Sequence, residues 1–389
     1  MEIHHVPGPP GESGCAHGRL VADLLEPGFR TRYLELLAPI NRYELGDLRA
    51  QAERWVEGLP ANFQEEIDGM ARGAGVAPIE AGEFLYADIA RPTRDADRRA
   101  FSAIRDVEPL PGEHELPTPG SAGPMCSAVV TRANGGASEA ITGGQRTWVA
   151  RNCDWLRATL TRGTSCVVHA TPGRIPVMAV GIRGDIDVDT GMNAERVWLH
   201  LHTLLSKDDP PRDRTCISWL FWAREALEVC ASLDELERFI ESTGRDRGVI
   251  AVAVDGKTGE GAVFECGKAS HTRVDFDPGG PSGALFATNH TLAKPIDEAR
   301  EAKARAGSTV GRFCTMRRLL ADDPPEHGPD DLIDVLAEDG VEMRTPEHLR
   351  TIYSAVCDPS SEAVWFAAGE PEGTPAASSR AWRRVRWAW

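Results

Sequence analysis

The spacing of apolar positions predicts helices in the first part of the chain, over residues 20–100. In NFQEEIDGMARGAGV, Phe63, Ile67 and Met70 recur at the i, i+4 and i+7 positions of one helix face, and the glycines that follow are expected to end the helix. The segment IEAGEFLYADIA predicts a further helix. Together these patterns predict an N-terminal helical region.

From residue 126 onward the apolar positions fall instead in short runs of strand length, separated by Gly, Asp and Pro. Two pairs of runs predict hairpins, one turning at Asp255-Gly256 and the other at Asp358-Pro359. The predicted strands are SAVVTR, TWVARN, SCVVHAT, PVMAVGI, GVIAVAVD, GAVFECG, GALFATNH, IYSAVCD and AVWFAAG.

Helices are also predicted between these strands. One is expected within residues 217–229, and another follows Ser232, which has Glu235 three residues later at the spacing of a capping box. Strands in antiparallel pairs with helices in separate blocks favour an α+β layered architecture over alternating parallel βαβ units.

The composition is that of a globular protein, with 41% hydrophobic and 26% charged residues in a chain of 389. The formal net charge of −16 repels nucleic acid and anionic membrane surfaces, so neither is expected as a partner. The sequence starts without a basic and apolar leader, and no stretch reaches the roughly 18 apolar residues of a membrane span. We therefore expect a cytoplasmic protein.

Nine cysteines without a CxxC pair indicate reduced thiols rather than a disulfide framework or a zinc centre. His200 and His202 would share one face of a strand, but two ligands do not make a metal site, so no metal or other cofactor is expected. The basic, Trp-rich end RAWRRVRWAW is expected to pack on its own domain. The cysteines expected in the core are Cys153, Cys166, Cys216, Cys230, Cys266, Cys314 and Cys357.

Cys126 stands apart because it follows a Pro- and Gly-rich segment and begins a predicted strand. Residues 105–125, RDVEPLPGEHELPTPGSAGPM, have the composition of extended, loop-like chain. This segment is the one plausible boundary, with residues 1–125 as a small chain or propeptide that stays attached and residues 126–389 as the main region. The simpler explanation is a surface linker within one domain.

Three short stretches carry side chains suited to catalysis. MCSAVV has a thiol at the start of a strand, WVARNCDWL has a polar interruption between apolar residues, and LFATNHT ends in an Asn-His pair. Taken singly, each has an ordinary explanation, because buried Cys is usually a core residue and Asn or Asp at a strand end usually forms a turn. Their order along the chain is more specific than any one of them.

In that order the chain resembles the acyl-coenzyme A:6-aminopenicillanate acyltransferase family, also known as the C45 peptidase-like family, within the cysteine branch of the N-terminal-nucleophile hydrolases. The resemblance runs over most of the chain. The collinear motifs that carry it are GESGCAHG, EEIDGMARGAGV followed by EFLYADIA, MCSAVV at the family's processing site, RNCDW, GDIDVDTGMNAERV and ATNH.

The resemblance implies a four-layer αββα fold with two stacked antiparallel sheets, and cleavage of the chain before Cys126. It further implies that Cys126 is the nucleophile, that Asp154 orients the freed amino group and that Asn289 donates to the oxyanion. The candidate substrate-binding residues are Arg151, Asn152 and His290.

An N-terminal cysteine carries its own base. The ordinary pKa of a thiol is about 8.5, and that of a free α-amino group is roughly 7.7–8.0. The amine can therefore take the thiol proton at neutral pH. The expected reaction is acyl transfer through a thioester, from an N-acylated small molecule or natural-product intermediate to an amine or to water. The enzyme would then be an amidohydrolase or N-acyltransferase without a cofactor.

Two alternatives stay open at this point. One is a Cys-His hydrolase without self-cleavage that uses His290 as its base, although the pattern lacks the helix N-terminus directly after Cys126 that such enzymes use to lower a thiol pKa. The other is a non-catalytic protein that binds an acyl ligand in an inherited pocket. The sequence does not indicate the oligomeric state.

Overall fold

The computed structural model describes residues 3–90, 125–134, 145–204, 217–267, 270–275, 283–292, 308–320, 328–344, 349–361, 363–387 and 389. Short 3-10 helices span Ala87–Ile89 and Arg157–Arg162. The α-helices are α1 (Pro10–Leu20), α2 (Ala22–Leu25), α3 (Pro27–Asn41), α4 (Leu45–Glu57), α5 (Ala61–Ala74), α6 (Pro78–Tyr86), α7 (Trp219–Val229), α8 (Leu233–Ser242), α9 (Thr309–Leu319) and α10 (Pro329–Ala337).

The strands form two sheets, which we call the large sheet and the small sheet. Within the described residues the order is β1-β4-β5-β6-β7-β8-β9-β10 in the large sheet and β11-β2-β3-β12-β13-β14 in the small sheet. The strands are β1 (Ile3–Pro7), β2 (Met125–Asn134), β3 (Gln145–Leu156), β4 (Thr164–Ala170), β5 (Val177–Ile182), β6 (Thr190–Asn193), β7 (Val197–Thr203), β8 (Val249–Asp255), β9 (Glu260–Cys266), β10 (His271–Asp275), β11 (Ala284–Ala287), β12 (Leu349–Cys357), β13 (Ala363–Ala368) and β14 (Arg383–Arg386).

Three buried apolar clusters show that the molecule has four layers. Helices α2–α8 share one apolar cluster with one face of the large sheet, which contributes residues such as Leu199 and Leu201 on β7. Trp198, on the opposite face of β7, belongs to the cluster between the two sheets. Helices α9 and α10 cover the outer face of the small sheet. The predicted αββα architecture is therefore confirmed, with one correction: β1 pairs with β4 in parallel, so the large sheet is not wholly antiparallel.

Two of the glycine-rich motifs meet where α1 crosses α5. A Cβ atom added to Gly14 would lie 2.0 Å from the carbonyl oxygen of Glu66, and one added to Gly18 would lie 2.0 Å from that of Met70. The glycines of α5 approach the α1 backbone equally closely. The two helices thus pack backbone to backbone, and any larger side chain at these positions would force them apart.

The N-terminal segment is built into the same layers as the rest of the chain. Besides adding β1 to the edge of the large sheet, it supplies acidic partners for arginines that follow residue 125. Arg224 Nη1 lies 2.8 Å from Glu66 Oε2, and Arg162 Nη1 lies 3.0 Å from Asp88 Oδ2. Most of the Pro- and Gly-rich stretch before Cys126 lies outside the described residues.

The local predictions agree well with the described elements. β8 and β9, and β12 and β13, form the two expected antiparallel hairpins. At α8 the Ser232 hydroxyl accepts from the backbone N–H of Glu235, but the Glu235 carboxylate accepts from Ala231 rather than closing the box on Ser232. The C-terminal tail forms β14 against β13, and Trp387 packs edge-on against Trp198. Among the described residues no helix has both the length and the apolar character to cross a membrane.

Candidate active site

Cys126 lies near the start of β2, fully buried, with its side chain and its nitrogen facing different surroundings. The side chain points into the space between the sheets, where Arg151 Nη2 donates to Sγ at 3.2 Å. The backbone N–H donates to Asn289 Oδ1 at 2.8 Å. The site therefore has an acceptor for the Cys126 nitrogen and a positive charge beside its sulfur.

Arg312 on α9 completes this arrangement and was missed by the sequence analysis. Its Nη2 donates to Asn289 Oδ1 at 2.7 Å and to the carbonyl of Cys126 at 3.3 Å, while its Nε donates to Ser127 Oγ at 3.0 Å. The side chain is fully buried. The sequence offered little signal, because Arg312 is one of three arginines in the helix TVGRFCTMRRL and no motif singles it out.

The RNCDW motif on β3 is split between the two faces of the small sheet. Side chains alternate along a strand, so Arg151 and Cys153 point inward with the Cys126 thiol, and Asn152 and Asp154 point outward toward the helices. The cross-strand register fits this division, because Cys126 lies opposite Cys153. The motif therefore lies beside the thiol on one face and beside the Met125–Cys126 bond on the other.

Arg151 is held in place by the large sheet and by β12. Its Nη1 donates to the Asp189 carbonyl at 2.9 Å and to Thr190 Oγ1 at 2.5 Å, and its Nη2 lies 3.2 Å from Asp189 Oδ2. The guanidinium also lies over the Tyr353 ring, 5.4 Å from its centroid. The Asp189 carboxylate is thus the counter-charge of the cation at the thiol.

Asp154 is a fully buried carboxyl on the outer face of β3, opposite Met125 in the register. Thr351 Oγ1 donates to its Oδ1 at 2.5 Å, whereas Oδ2 has no hydrogen-bond partner among the described residues. Burial raises the pKa of Asp154 to about 6, although the nearby charge of Arg312 acts in the opposite direction. The group therefore lies next to the bond before Cys126 and lacks one partner.

The structure does not bring Asn152 to the thiol. Its Nδ2 donates to the carbonyl of Leu336 at 2.8 Å, and Ser354 Oγ donates to its Oδ1 at 2.6 Å. Both ends of the amide are used to fix α10 and β12 against β3. Strand alternation turns Asn152 to the outer face of the small sheet, away from the Cys126 thiol, and its role in substrate binding stays a prediction.

Asn289 follows β11 and is oriented by its hydrogen-bond partners. Two donors, the Cys126 N–H and Arg312, converge on one end of the amide, so that end is the oxygen. The other end donates to the carbonyl of Thr203 at 2.9 Å. The amide NH₂ is thus engaged by the large sheet, and its predicted donation to an oxyanion stays a prediction.

His290, the third residue predicted to bind substrate, lies on the helix side of the small sheet, and its predicted role stays a prediction. Its Nδ1 lies 2.9 Å from both Thr288 Oγ1 and Thr309 Oγ1, and its ring packs edge-on against Phe313 of α9. These contacts lie on the helix side of the small sheet, while the Cys126 thiol faces the other side. The alternative Cys-His design therefore has no support from the position of His290.

His200 and His202 do lie on one face of β7, as their spacing predicts, and their rings stack at 5.2 Å between centroids. Burial, with a smaller effect of Arg151, lowers the pKa of both well below the usual range, so both are neutral. Trp198 Nε1 donates to His200 Nδ1, and His202 Nδ1 lies 2.9 Å from the Thr288 carbonyl. No group of three His, Cys, Asp or Glu suited to a metal ion occurs within the described parts of the chain.

A cleft of about 750 Å³, including its solvent-filled mouth, lies beside this site on the side of the large sheet and the N-terminal helices. It ends at Cys153, Asp189 and Tyr353, which form the layer between the cleft and the Cys126–Arg151 contact. Trp155 and Trp219 form part of the apolar wall of the cleft. The carboxylates along it are those of Asp88, Asp185, Asp187 and Asp189.

The acidic stretch of the cleft wall, residues 185–189, is fixed from behind by a buried arginine. Arg224 on α7 donates to the carbonyl of Ile186 at 2.5 Å and forms ion pairs with Glu66 and Glu228. Glu66 belongs to the α5 motif that packs on α1. The glycine-rich helix crossing is therefore connected to the cleft through one buried ion-pair network.

A family model described as Acyl-coenzyme A:6-aminopenicillanic acid acyl-transferase matches residues 141–373 of this chain. No match was found among curated proteins.

Several solved structures are similar to this chain at low sequence identity. An ortholog of N-acylethanolamine-hydrolyzing acid amidase from Caenorhabditis elegans is 17% identical, with 61% of this chain and 93% of that chain covered and a TM-score of 0.45. A mutant of conjugated bile acid hydrolase from Clostridium perfringens is 10% identical, with 68% and 97% covered and a TM-score of 0.46. Penicillin V acylase from Agrobacterium tumefaciens is 14% identical, with 67% and 78% covered and a TM-score of 0.40.

Proposed function

Because the chain belongs to the acyl-coenzyme A:6-aminopenicillanic acid acyl-transferase family, it is an enzyme that acts on carbon–nitrogen amide bonds, and from that premise we propose that Cys126 is its nucleophile. One observation carries the proposal: the sulfur of Cys126 has a guanidinium at 3.2 Å, and its nitrogen has a side-chain acceptor at 2.8 Å. Any buried N–H needs an acceptor, but a cysteine that only filled space would not need a guanidinium at its sulfur.

The first step is hydrolysis of the Met125–Cys126 peptide bond. One water is consumed, Met125 gains a carboxylate, and Cys126 gains a free amino group. Asp154, the cross-strand partner of Met125, offers its unpartnered oxygen beside the new terminus. An ammonium group there would stabilise the ionised carboxylate, since opposite charges at short distance each favour the other's charged form.

The new amine then serves as the base for the thiol of the same residue. As the proton moves to the amine, the sulfur attacks the substrate carbonyl, and the leaving amine takes the proton when the carbon–nitrogen bond breaks. Water or a second amine releases the acyl group from the resulting thioester. The Arg151 guanidinium supports this step because its charge already lies beside the atom where negative charge develops.

We assign Asn289 a different role from the one its motif implies. Its oxygen accepts from the Cys126 nitrogen, and the same bond is available after cleavage, when that nitrogen is an amine. Arg312 holds the Asn289 oxygen and the Cys126 carbonyl together, so it positions the nucleophile's backbone. Asn289 is therefore proposed to orient the base.

Residues 1–125 are proposed to remain bound to the main region after cleavage. β1 is hydrogen-bonded along β4, and Glu66 forms its ion pair with Arg224 in a fully buried position. Removing one partner of such a pair leaves an uncompensated buried charge, which typically destabilises a protein by about 3–5 kcal/mol. Loss of the small chain would therefore unfold the helix layer on the large sheet.

The cleft favours a substrate that carries positive charge or several hydrogen-bond donors. Arg162 pairs with both Asp88 and Asp185, and Arg151 pairs with Asp189, so these carboxylates are compensated. Asp187 has no ion-pair partner within the described part of the chain. Burial and its acidic neighbours raise the pKa of Asp187 well above the usual range, and a cationic group would relieve that repulsion.

The direct test is the intact mass of the purified protein together with hydrolysis of N-acylated amines. Wild-type protein should separate under denaturing conditions into two chains, the larger beginning at Cys126, and should release acid from the amide. Cys126→Ala should stay a single inactive chain. Cys266→Ala, which removes a buried thiol of the large sheet, is the matched control and should still be processed.

The two parts of the proposal can fail separately. A fully active protein that remains a single chain would overturn the role of the Cys126 amine, and activity retained in Cys126→Ala would overturn its role as nucleophile. If no N-acylated compound is turned over but lactams or amides bind in the cleft, the non-catalytic alternative would replace the proposal.

A further inference from the structure

Cys153 is a buried thiol for which the proposed mechanism has no use. It lies on β3 directly opposite Cys126 on β2. Cross-strand partners point to the same face of a sheet, so both side chains enter the space between the two sheets. Cys153 is 3% exposed, and it also forms part of the wall of the cleft.

The two cysteines form a non-hydrogen-bonded pair of the antiparallel ladder. The N–H of Cys126 donates to Asn289, and its carbonyl accepts from Arg312, so both backbone groups point away from β3. A pair of this type has Cα atoms about 4.5 Å apart. A disulfide spans Cα separations of about 4.4–6.8 Å, so the two thiols can be joined without moving the strands.

The surroundings of the two sulfurs differ in a way that suits thiol oxidation. Arg151 Nη2 lies 3.2 Å from Cys126 Sγ, so a guanidinium charge lies beside the sulfur that would react with peroxide. Cys153 Sγ donates to Asp189 Oδ2 at 3.4 Å, and burial, together with the hydrogen bond to Cys126, raises the pKa of Cys153 well above the usual range. Cys153 thus stays protonated and has a proton acceptor in contact.

We propose that Cys126 and Cys153 form a reversible disulfide under oxidising conditions, which switches the enzyme off and protects its nucleophile. The inactivation rests on the proposed role of Cys126, whereas the disulfide itself rests on the register and the contacts. Cys126 is then the thiol that the oxidant modifies, and Cys153 is the thiol that forms the disulfide with it.

The chemistry balances with hydrogen peroxide as the oxidant. The Cys126 thiolate attacks one peroxide oxygen and the O–O bond breaks. Hydroxide departs, and Cys126 becomes a sulfenic acid. The Cys153 sulfur then displaces that hydroxyl group, and its proton passes through Asp189 to the leaving oxygen. Two thiols and one peroxide thereby give one disulfide and two waters, and a thiol reductant reverses the step by exchange.

The test compares wild type with Cys153→Ala after hydrogen peroxide, using peptide mass mapping and recovery of activity by dithiothreitol. Each protein is scored against its own untreated activity. Wild type should show a Cys126–Cys153 crosslink and a loss of activity that dithiothreitol restores. Cys153→Ala should accumulate sulfinic or sulfonic acid on Cys126 and stay inactive after reduction. Cys266→Ala, whose thiol faces the helix layer, should behave like wild type.

The outcomes separate this proposal from the proposed function. An active enzyme in which no crosslink forms, and in which wild type over-oxidises like Cys153→Ala, would overturn the disulfide alone. A crosslink with undiminished activity would overturn both the switch and the assignment of Cys126 as nucleophile. Crosslinking does not depend on turnover, so it also decides the disulfide in a preparation that hydrolyses no amide tried.

Discussion

Replacing Asp154 by Asn should make the folded protein more stable while abolishing its chemistry. The carboxyl is fully buried, and one of its oxygens has no partner among the described residues. Burial raises its pKa from 3.8 to about 6, even with Arg312 and the Thr351 hydroxyl acting to lower it. The ionised side chain is therefore a source of instability that only a catalytic role would justify.

The size of the effect follows from the change in pKa. A difference of about 2 pKa units between the folded and unfolded states corresponds to about 3 kcal/mol of stability, at roughly 1.4 kcal/mol per unit. Because the folded state binds the Asp154 proton more tightly than the unfolded state, stability should fall as pH rises from about 4 to about 6 and stay lower above that range. Asn cannot ionise, so Asp154→Asn should not lose this stability.

The comparison is best made in unprocessed protein, between Cys126→Ala and Cys126→Ala/Asp154→Asn, by urea unfolding followed through tryptophan fluorescence. The two should have nearly equal free energies of unfolding near pH 4 and differ by about 3 kcal/mol in favour of the double variant at pH 7. Asp88, whose pKa burial also raises to about 6, contributes to both proteins equally. Asp334→Asn, at an exposed carboxylate, is the control and should change little.

With Cys126 intact, Asp154→Asn should fold and lose most of its acyl-transfer rate. Two results would refute the reasoning. A variant that turns over normally would make Asp154 a packing residue, and a double variant less stable than Cys126→Ala at pH 7 would mean that the ionised carboxylate is a net stabilising partner of Arg312.

Two further predictions concern the helix crossing and the cleft. Gly14→Ala should lower the free energy of unfolding by about 1–3 kcal/mol in urea titrations, because its Cβ would meet the Glu66 carbonyl oxygen. Gly46→Ala, with open space around it, should not change that free energy. Equal stability of the two variants would refute the close packing of α1 on α5. Asp187→Asn should reduce the preference of kcat/KM for ammonium-bearing over carboxylate-bearing amides by at least about tenfold, or about 1.4 kcal/mol, and an unchanged ratio would remove the charge argument.

Much of the fold was predictable because most core strands bury one or both faces and therefore carry clear apolar runs. The strands that the pattern did not reveal owe their conformation to a neighbouring strand. β14 reads RRVR and pairs with β13 at the sheet edge, and β6 is the four-residue TGMN between β5 and β7. β14 buries only one residue, and β6, although fully buried, has only four residues, so neither is long or apolar enough to show a period in the sequence.

The site was only partly predictable, for a geometric reason. Motif order named Cys126, Asp154 and Asn289, and the structure brings all three to the start of β2. Alternation along β3 already separates Arg151 from Asn152, so the outward turn of Asn152 was implied by strand geometry. Arg312 arrives from a helix far along the chain, and its burial against Asn289 is a tertiary fact that no local pattern carries.

The length of β11 explains why the Cys126 nitrogen is available for chemistry. In this register Ala287 pairs with Ala128, so two more residues of β11 would place a backbone carbonyl opposite the N–H of Cys126. The strand ends at Ala287 instead, and the Asn289 side chain accepts that N–H in place of a backbone group. A ladder bond would hold the nitrogen within a rigid sheet, whereas a side-chain acceptor can follow it when it becomes an amine. In the proposed mechanism, this early strand end would let Cys126 become a chain terminus and a base without disturbing the sheet around it.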